Sequence, residues 1–286
     1  LVLSSPAKLN LALRIISKRK DGFHELVTLF HRISLKDTLV LEKQTEGIRF
    51  FCSHLRVPKK NNLIVRAFHL LKSQHPFKGG VKVRLTKRIP VGGGLGGGSS
   101  NAAAFLVGIN RLYRLGLSRD ELMELGGSLG SDVPFLISGV SHGMGLGRGE
   151  RIRRLPFGKK LGFILFPSSR GLATREVYSG YRLSRSLALT RVKRDVKMAS
   201  AFLEKGKLEE ASRFLTNDLT KSAEHIRPSL KETRETLSGL QLGTCQMSGS
   251  GPTLFILFST PQKARQALNR FRRHPQFKKA LVCQSE

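Results

Sequence analysis

Pro90-Val-Gly-Gly-Gly-Leu-Gly-Gly-Gly-Ser-Ser-Asn-Ala-Ala-Ala104 decides the fold. Glycine fills positions 92–94 and 96–98, and two serines lead into a helix-forming alanine run. The basic, strand-like segment Val81-Lys-Val-Arg-Leu-Thr-Lys-Arg-Ile89 precedes it. A glycine-rich turn that feeds a helix N-terminus leaves backbone N–H groups free to point at an anion. Glycine also lets the backbone approach phosphate oxygens with no side chain between. The stretch reads as a binding loop for a phosphorylated ligand. A flexible linker fits poorly, because a strand and an amphipathic helix pin its two ends.

The loop is not a Walker A motif, which ends in G-K-[ST]; here the end is Gly98-Ser-Ser-Asn101, without lysine. G-x-G-x-x-G occurs at Gly92, Gly94 and Gly97, but in sequence this rich in glycine the match carries little weight. A dinucleotide fold would also place an isolated acid about twenty residues on. The nearest acids, Asp120 and Glu121, instead follow Ser118 in a capping box that opens a new helix.

At 286 residues the chain is long enough for a sizeable core and two domains. Its apolar runs, such as Leu161-Gly-Phe-Ile-Leu-Phe166 and Leu254-Phe-Ile-Leu-Phe258, are too short to span a membrane and read as buried strands. Leu1-Val-Leu-Ser-Ser-Pro6 carries no charged-then-apolar signal pattern. Cys52, Cys245 and Cys283 have neither metal nor disulfide spacing, which points to a reducing, cytoplasmic compartment. The net charge of +30 makes nucleic acid a partner class to weigh. However, the basic residues are scattered and not interleaved with aromatic stacking platforms. A general surface bias that draws in anionic small molecules is the expectation, with no specific nucleic acid and no membrane.

Alternation predicts strands over 3–17 and 25–43, and the periodicity predicts a helix over 61–71. A strand over 81–89, a helix over 99–115 and a helix from Ser118 to about Gly126-Gly127 follow. A composition shift at Leu155-Pro-Phe-Gly158 marks a domain boundary. Beyond it come a strand over 161–166 and helices over 195–205, 207–219 and 228–239. The last unit reads as strands over 244–248 and 253–259, a helix over 261–273 and a strand near Leu281. Strands and helices mix without strict alternation, so the class is α+β.

Four further features bear on chemistry. Met247-Ser-Gly-Ser-Gly-Pro252 is a second glycine turn, and its local sequence fits an ordinary hairpin. Asp132, in Gly130-Ser-Asp-Val-Pro134, could cap a helix or accept a proton from an attacking hydroxyl. Lys8, in Pro6-Ala-Lys-Leu-Asn10, could be solvated or could hold that carboxylate ionised and steady a phosphoryl charge. Local sequence leaves both pairs open. His24 has no second histidine at ligand spacing, which argues against a metal site. Phe23 beside it suits either the core or a planar ring.

Together with Asp21-Gly-Phe-His-Glu-Leu26, Asn62-Leu-Ile64, Gly147-Arg-Gly-Glu150 and Thr174-Arg-Glu-Val-Tyr178, these pieces resemble the GHMP family of small-molecule kinases over nearly the whole chain. The Lys-Leu-Asn and Phe-His-Glu-Leu pieces, in this order and spacing, resemble members acting on a cytidine diphosphate-linked methylerythritol. The resemblance implies a two-domain α+β fold with an active-site cleft between the domains. An N-terminal domain like ribosomal protein S5 domain 2 would cover 1–157, and a GHMP kinase domain 158–286.

By matching positions, Asp132 would be the base and Lys8 its charge-stabilising partner. Pro90, Val91, Gly92, Gly93, Gly94, Leu95, Gly96, Gly97, Gly98, Ser99 and Ser100 would wrap the phosphates of ATP, and Asn62 would line the adenine pocket. Mg²⁺ would lie nearby and touch a serine hydroxyl, with no residue assigned as a metal site. Phe23 and Tyr178 would sandwich the cytosine and His24 would meet its polar edge. Asn10, Thr174, Ser248, Gly249 and Ser250 would complete the substrate side, in a monomer or weak homodimer.

Two positions depart from the family pattern: Asn101 stands where aspartate is usual, and Phe23 where tyrosine is. The first puts in doubt any carboxylate that orients a lysine or metal at the loop. Other readings are a GHMP kinase for another alcohol and, from a different class, a nucleic-acid-binding protein argued from charge alone.

Overall fold

In the computed structural model, residues 1–52, 54, 62–168, 170–182 and 187–286 are described. Residue 61, where the first expected helix begins, lies outside them. Two long strands, β1 (Val2–Lys18) and β2 (His24–Gln44), pair antiparallel along their whole length. Then follow β3 (Ile48–Cys52), α1 (Leu63–Gln74), β4 (Gly80–Thr86), α2 (Gly97–Tyr113), α3 (Arg119–Leu129), α4 (Val133–Ile137), β5 (His142–Gly147) and β6 (Arg151–Arg154). The second half holds β7 (Gly162–Phe166), α5 (Thr174–Ser179), α6 (Leu189–Glu204), α7 (Leu208–Ser212), α8 (Thr220–Ile226) and α9 (Pro228–Gly239). It closes with β8 (Cys245–Met247), β9 (Leu254–Phe258), α10 (Pro261–Arg272) and β10 (Leu281–Gln284). Among the described residues no helix is long and apolar enough to cross a membrane.

One sheet runs β3-β4-β2-β5-β6, with β1 on the other edge of β2; the second runs β10-β7-β9-β8. The period-two alternation of β1 sends Ala7, Leu9 and Leu11 into an apolar cluster with Phe163, Leu165, Val196 and Phe255. A register shift between Asn10 and Ala12 then turns Leu13 and Ile15 toward a different cluster, with Ile164 and Leu254. The opposite face of the first half packs α1 and α2 on the sheet through Phe68, Phe105 and Ile109. Apolar packing therefore runs across the segment between β6 and β7 without a break.

The elements differ from expectation at four places. The strand expected to reach residue 89 ends at Thr86, because the Asp37 carboxylate takes the N–H groups of Arg88 and Ile89 at 2.7 and 2.8 Å. The helix expected to stop at Gly126-Gly127 continues to Leu129; a Cβ at Gly126 would press on Val133 and Ile137, so glycine serves close packing there. The helix expected from 195 begins at Leu189. The helix expected over 207–219 is reduced to α7, and the next helix, α8, begins only at Thr220. Between them the chain crosses to β1: Leu13 N donates to Thr216 O, Asp218 N donates to Leu13 O, and the Asp218 carboxylate accepts from Ile15 N.

A buried pair joins the halves. His31 Nδ1 and His142 Nδ1 lie 2.8 Å apart, and their Nε2 atoms meet Ser285 Oγ and Ser200 Oγ. Phe157 stacks on His142 at 4.3 Å. Burial, then the neighbouring His142 and Lys160, holds the His31 pKa well below the usual imidazole range; burial pushes His142 down to about 3. The unfolded chain binds protons at these sites below about pH 6.5, and the folded chain does not. Stability is therefore expected to fall as pH drops below that value, by ~1.4 kcal/mol per pH unit for each imidazole. Melting curves from pH 7 to pH 5 check this: His142→Gln should show a shallower loss than wild type, and an equal slope would refute it.

Candidate active site

The glycine loop closes a cavity of about 1060 Å³ between the two halves. Gly92, Gly94 and Gly96 all have positive φ, at 69°, 75° and 68°. Gly96 is the N-cap of α2 and supplies no side-chain cap, and the first turn carries no acid. The leading N–H groups of α2 thus face an open space at the positive end of the helix. Close approach also demands glycine: a Cβ at Gly94 would run into the Ser248 carbonyl, and one at Gly96 would press on Lys8 Cε.

Lys8 extends from β1 into this space with its side chain 3% exposed. Its ammonium reaches Asp132 Oδ2 at 3.1 Å, Asn10 Oδ1 at 2.6 Å and Gly94 O at 3.0 Å. Three acceptors satisfy its three protons, which a buried ammonium requires. Asp132 holds the N-cap position of α4 but makes no capping bond; its carboxylate, 29% exposed, is left for Lys8 and the cavity. Asn10 is spent at both ends, since its Nδ2 donates to Thr28 Oγ1 at 2.8 Å. Ser248 Oγ donates to Gly94 O and accepts from Asn10 N, so the second glycine turn is tied to the first and to β1. Asn217 holds that turn through Met247 O and Gly249 O.

Farther along the cavity lie Phe23, His24, Tyr178 and Tyr181. His24 and Tyr178 have ring centroids 5.4 Å apart, and Tyr181 meets His24 edge-on. Burial first, then Lys18, lowers the His24 pKa. The Tyr178 hydroxyl is pushed up by burial and the Asp132 charge. Phe23 is 50% exposed, with the Arg148 guanidinium 4.8 Å above its ring. Thr174 Oγ1 and Ser250 Oγ are 2.9 Å apart at the cavity wall.

The cavity lining gathers Lys8, Asn10, Phe23, His24, Asn62, Thr174, Tyr178, Gly249 and Ser250, together with Pro90 through Ser99. Asn62 also caps α1, accepting from Ile64 N. Two expected residues face elsewhere: Ser100 is buried and donates to Pro6 O, and Ser248 is fully buried as the pin just described. Sequence reasoning passed over Lys87 and Asp37, a buried ion pair whose lysine lines the cavity beside Gly97. A lone acid within an apolar strand pattern and a lysine ending the basic segment were the available signals. Asn101 belongs to this pair, donating from Nδ2 to Asp37 Oδ2 and to Ser5 Oγ. Asp37 thus supplies a carboxylate at the loop where residue 101 does not. No group of three or more His, Cys, Asp or Glu able to hold a metal occurs among the described residues.

A family model described as GHMP kinases N terminal domain matches residues 62–140, and one described as GHMP kinases C terminal matches 198–276. A 4-diphosphocytidyl-2-C-methyl-D-erythritol kinase of Nostoc punctiforme is 40% identical over 94% of this chain and 90% of its own. The enzyme of the same name from Acaryochloris marina is 40% identical over 92% and 88%. A solved 4-(cytidine 5'-diphospho)-2C-methyl-D-erythritol kinase superposes with a TM-score of 0.80 at 32% identity, covering 100% of both chains. A homoserine kinase from Cytophaga hutchinsonii, at a TM-score of 0.71 and 19% identity, shares the fold.

Gly94→Ala is expected to cost about 2–3 kcal/mol through overpacking at a left-handed position. Thermal melting would read the loss, and an unchanged melting temperature would refute the close approach.

Proposed function

The chain belongs to the GHMP kinase family, and we propose that it transfers the γ-phosphoryl group of ATP to the 2-hydroxyl of 4-diphosphocytidyl-2-C-methyl-D-erythritol, giving the 2-phosphate and ADP. The observation that carries this reading is the Lys8–Asp132 pair at 3.1 Å, held against the Gly94 carbonyl at the mouth of the loop. Phosphoryl transfer asks mainly for positioning and charge stabilisation, and this corner of the cavity offers both.

The ATP phosphates lie along Gly92–Ser99 against the N-terminus of α2, with the base near Asn62 and α1. Asp132 accepts the proton of the 2-hydroxyl as its oxygen bonds the γ-phosphorus and the bond to the β,γ-bridging oxygen breaks. Lys8 pairs with that carboxylate and steadies the transferring charge, while Asn10 and Gly94 fix the ammonium. Mg²⁺ fits as a metal carried on the phosphates, because such an ion needs few protein ligands and no acidic cage occurs among the described residues. Ser99 and Asp132, both in the cavity lining, would hold the ion, which would neutralise charge on the transferring group. Cytosine stacks on Phe23 and Tyr178, and a neutral His24 meets its polar edge. The reading divides the chain at 157/158, between β6 and β7, with the loop and the base on the N-terminal side.

ADP release from Mg-ATP with and without this substrate tests the reaction. Release in wild type should depend on the substrate, and its absence from a folded, ATP-binding protein would send the search to other alcohols. Asp132→Asn should lower kcat by about 10²-fold or more and leave ATP binding intact; near wild-type turnover would remove the base. Phe23→Ala should raise KM for the cytidine substrate more than for ATP, and equal effects would remove the stacking role.

A further inference from the structure

Gly147-Arg-Gly-Glu150 is a motif that the reaction just described leaves unused. It forms the tight connection from β5 to β6, with Gly147 and Gly149 at φ of 74° and 107°. The Glu150 carboxylate accepts from Arg148 N at 2.6 Å, so this acid is spent on the turn itself. The turn holds Arg148 out over the cavity, half-buried. Its guanidinium lies over Phe23 and makes one long bond, 3.4 Å, to Gly127 O. Among the described residues no carboxylate pairs with it: the neighbouring Asp21 bonds Arg19 and its own loop at Phe23 N.

The other cations of the lining differ. Lys8 and Lys87 are neutralised by Asp132 and Asp37, and Lys18 and Arg175 are exposed to solvent. Arg148 is thus the half-buried cation of the described lining with no carboxylate at ion-pair distance, while the Asp21 charge acts on it from farther off. It stands next to the aromatic group expected to hold a nucleobase. A planar guanidinium with a fork of donors suits a diphosphate, and stacking on a ring fixes its plane while keeping the donors free.

We infer that Arg148 is a specificity-determining residue that binds the diphosphate bridge of the nucleoside diphosphate-linked substrate, with Phe23 as the platform that presents it. This inference rests on the cytidine reading of the cavity. It places the recognised anion on the substrate and distinguishes it from the phosphates of ATP.

The test is calorimetric titration of cytidine and of CDP into the full chain, with the loop first filled by a non-hydrolysable ATP analogue. Wild type should bind CDP about tenfold or more tighter than cytidine. Arg148→Gln should remove most of that gain while cytidine affinity and the KM for ATP stay within about twofold of wild type. Arg148→Lys should recover part of it, since the charge remains and the fork is lost. A full gain kept in Arg148→Gln would overturn the inference. Equal losses for cytidine and CDP would overturn it in favour of a ring contact, and a matching rise in KM for ATP would overturn it in favour of the ATP phosphates. If wild type binds cytidine but gains nothing from the diphosphate, the inference alone fails. If it binds neither ligand, the cytidine reading fails with it.

Discussion

A buried ammonium must find acceptors, and the placement of Lys8 organises this cavity around that need. Burying an unpaired charge is costly, and even a good ion pair only roughly offsets the desolvation of its members. Lys8 meets the requirement with three partners drawn from three parts of the chain: Asn10 of β1, Gly94 of the loop and Asp132 at α4. The lysine therefore does more than lie near a carboxylate. It ties the strand, the phosphate loop and the start of α4 into one constellation, and Ser248 extends the tie to the second glycine turn through the same Gly94 carbonyl.

A second buried charge supports the first. Asp37 is fully buried and receives Lys87, Asn101 and two backbone N–H groups. Those bonds draw the chain off β4 and aim it into the glycine loop. Asparagine at 101 suits this arrangement, because its amide donates to Asp37, whereas an ionised aspartate there would set two carboxylates against each other. The loop is thus held on one side by Lys8 and on the other by Lys87, each lysine neutralised by its own acid.

The two halves are difficult to separate because β1 belongs to both. Its odd positions enter the apolar core shared with β7, β9 and α6, while Lys8 and Asn10 face the cavity. Below the bulge, Leu13 and Ile15 join the core of the second half, and the crossing at Thr216–Asp218 bonds to this strand. The His31–His142 pair adds a polar link from the first sheet to α6 and the C-terminal strand. The cavity floor is consequently a continuous packed unit, which suits a reaction that depends on positioning.

What the sequence by itself determined follows from local rules. Glycine spacing between a strand and a helix-forming run predicted a phosphate-binding loop, alternation predicted the long strands, and Ser118 with Glu121 predicted a helix start. Lys8, Asp132, Phe23, His24 and Tyr178 were nameable because they sit in short, ordered motifs, and the structure gathers them around one cavity. Only the tertiary structure decided the rest, because those features depend on partners far apart in the chain. The end of β4 at Thr86 is set by Asp37, some fifty positions earlier, and the break between α7 and α8 by β1. Ser100 and Ser248 resemble ligand-binding serines in sequence, yet their hydroxyls are consumed by Pro6 and Gly94. That the half-buried guanidinium of Arg148 has no close carboxylate was likewise invisible, since which acid meets a cation depends on what the fold brings to it.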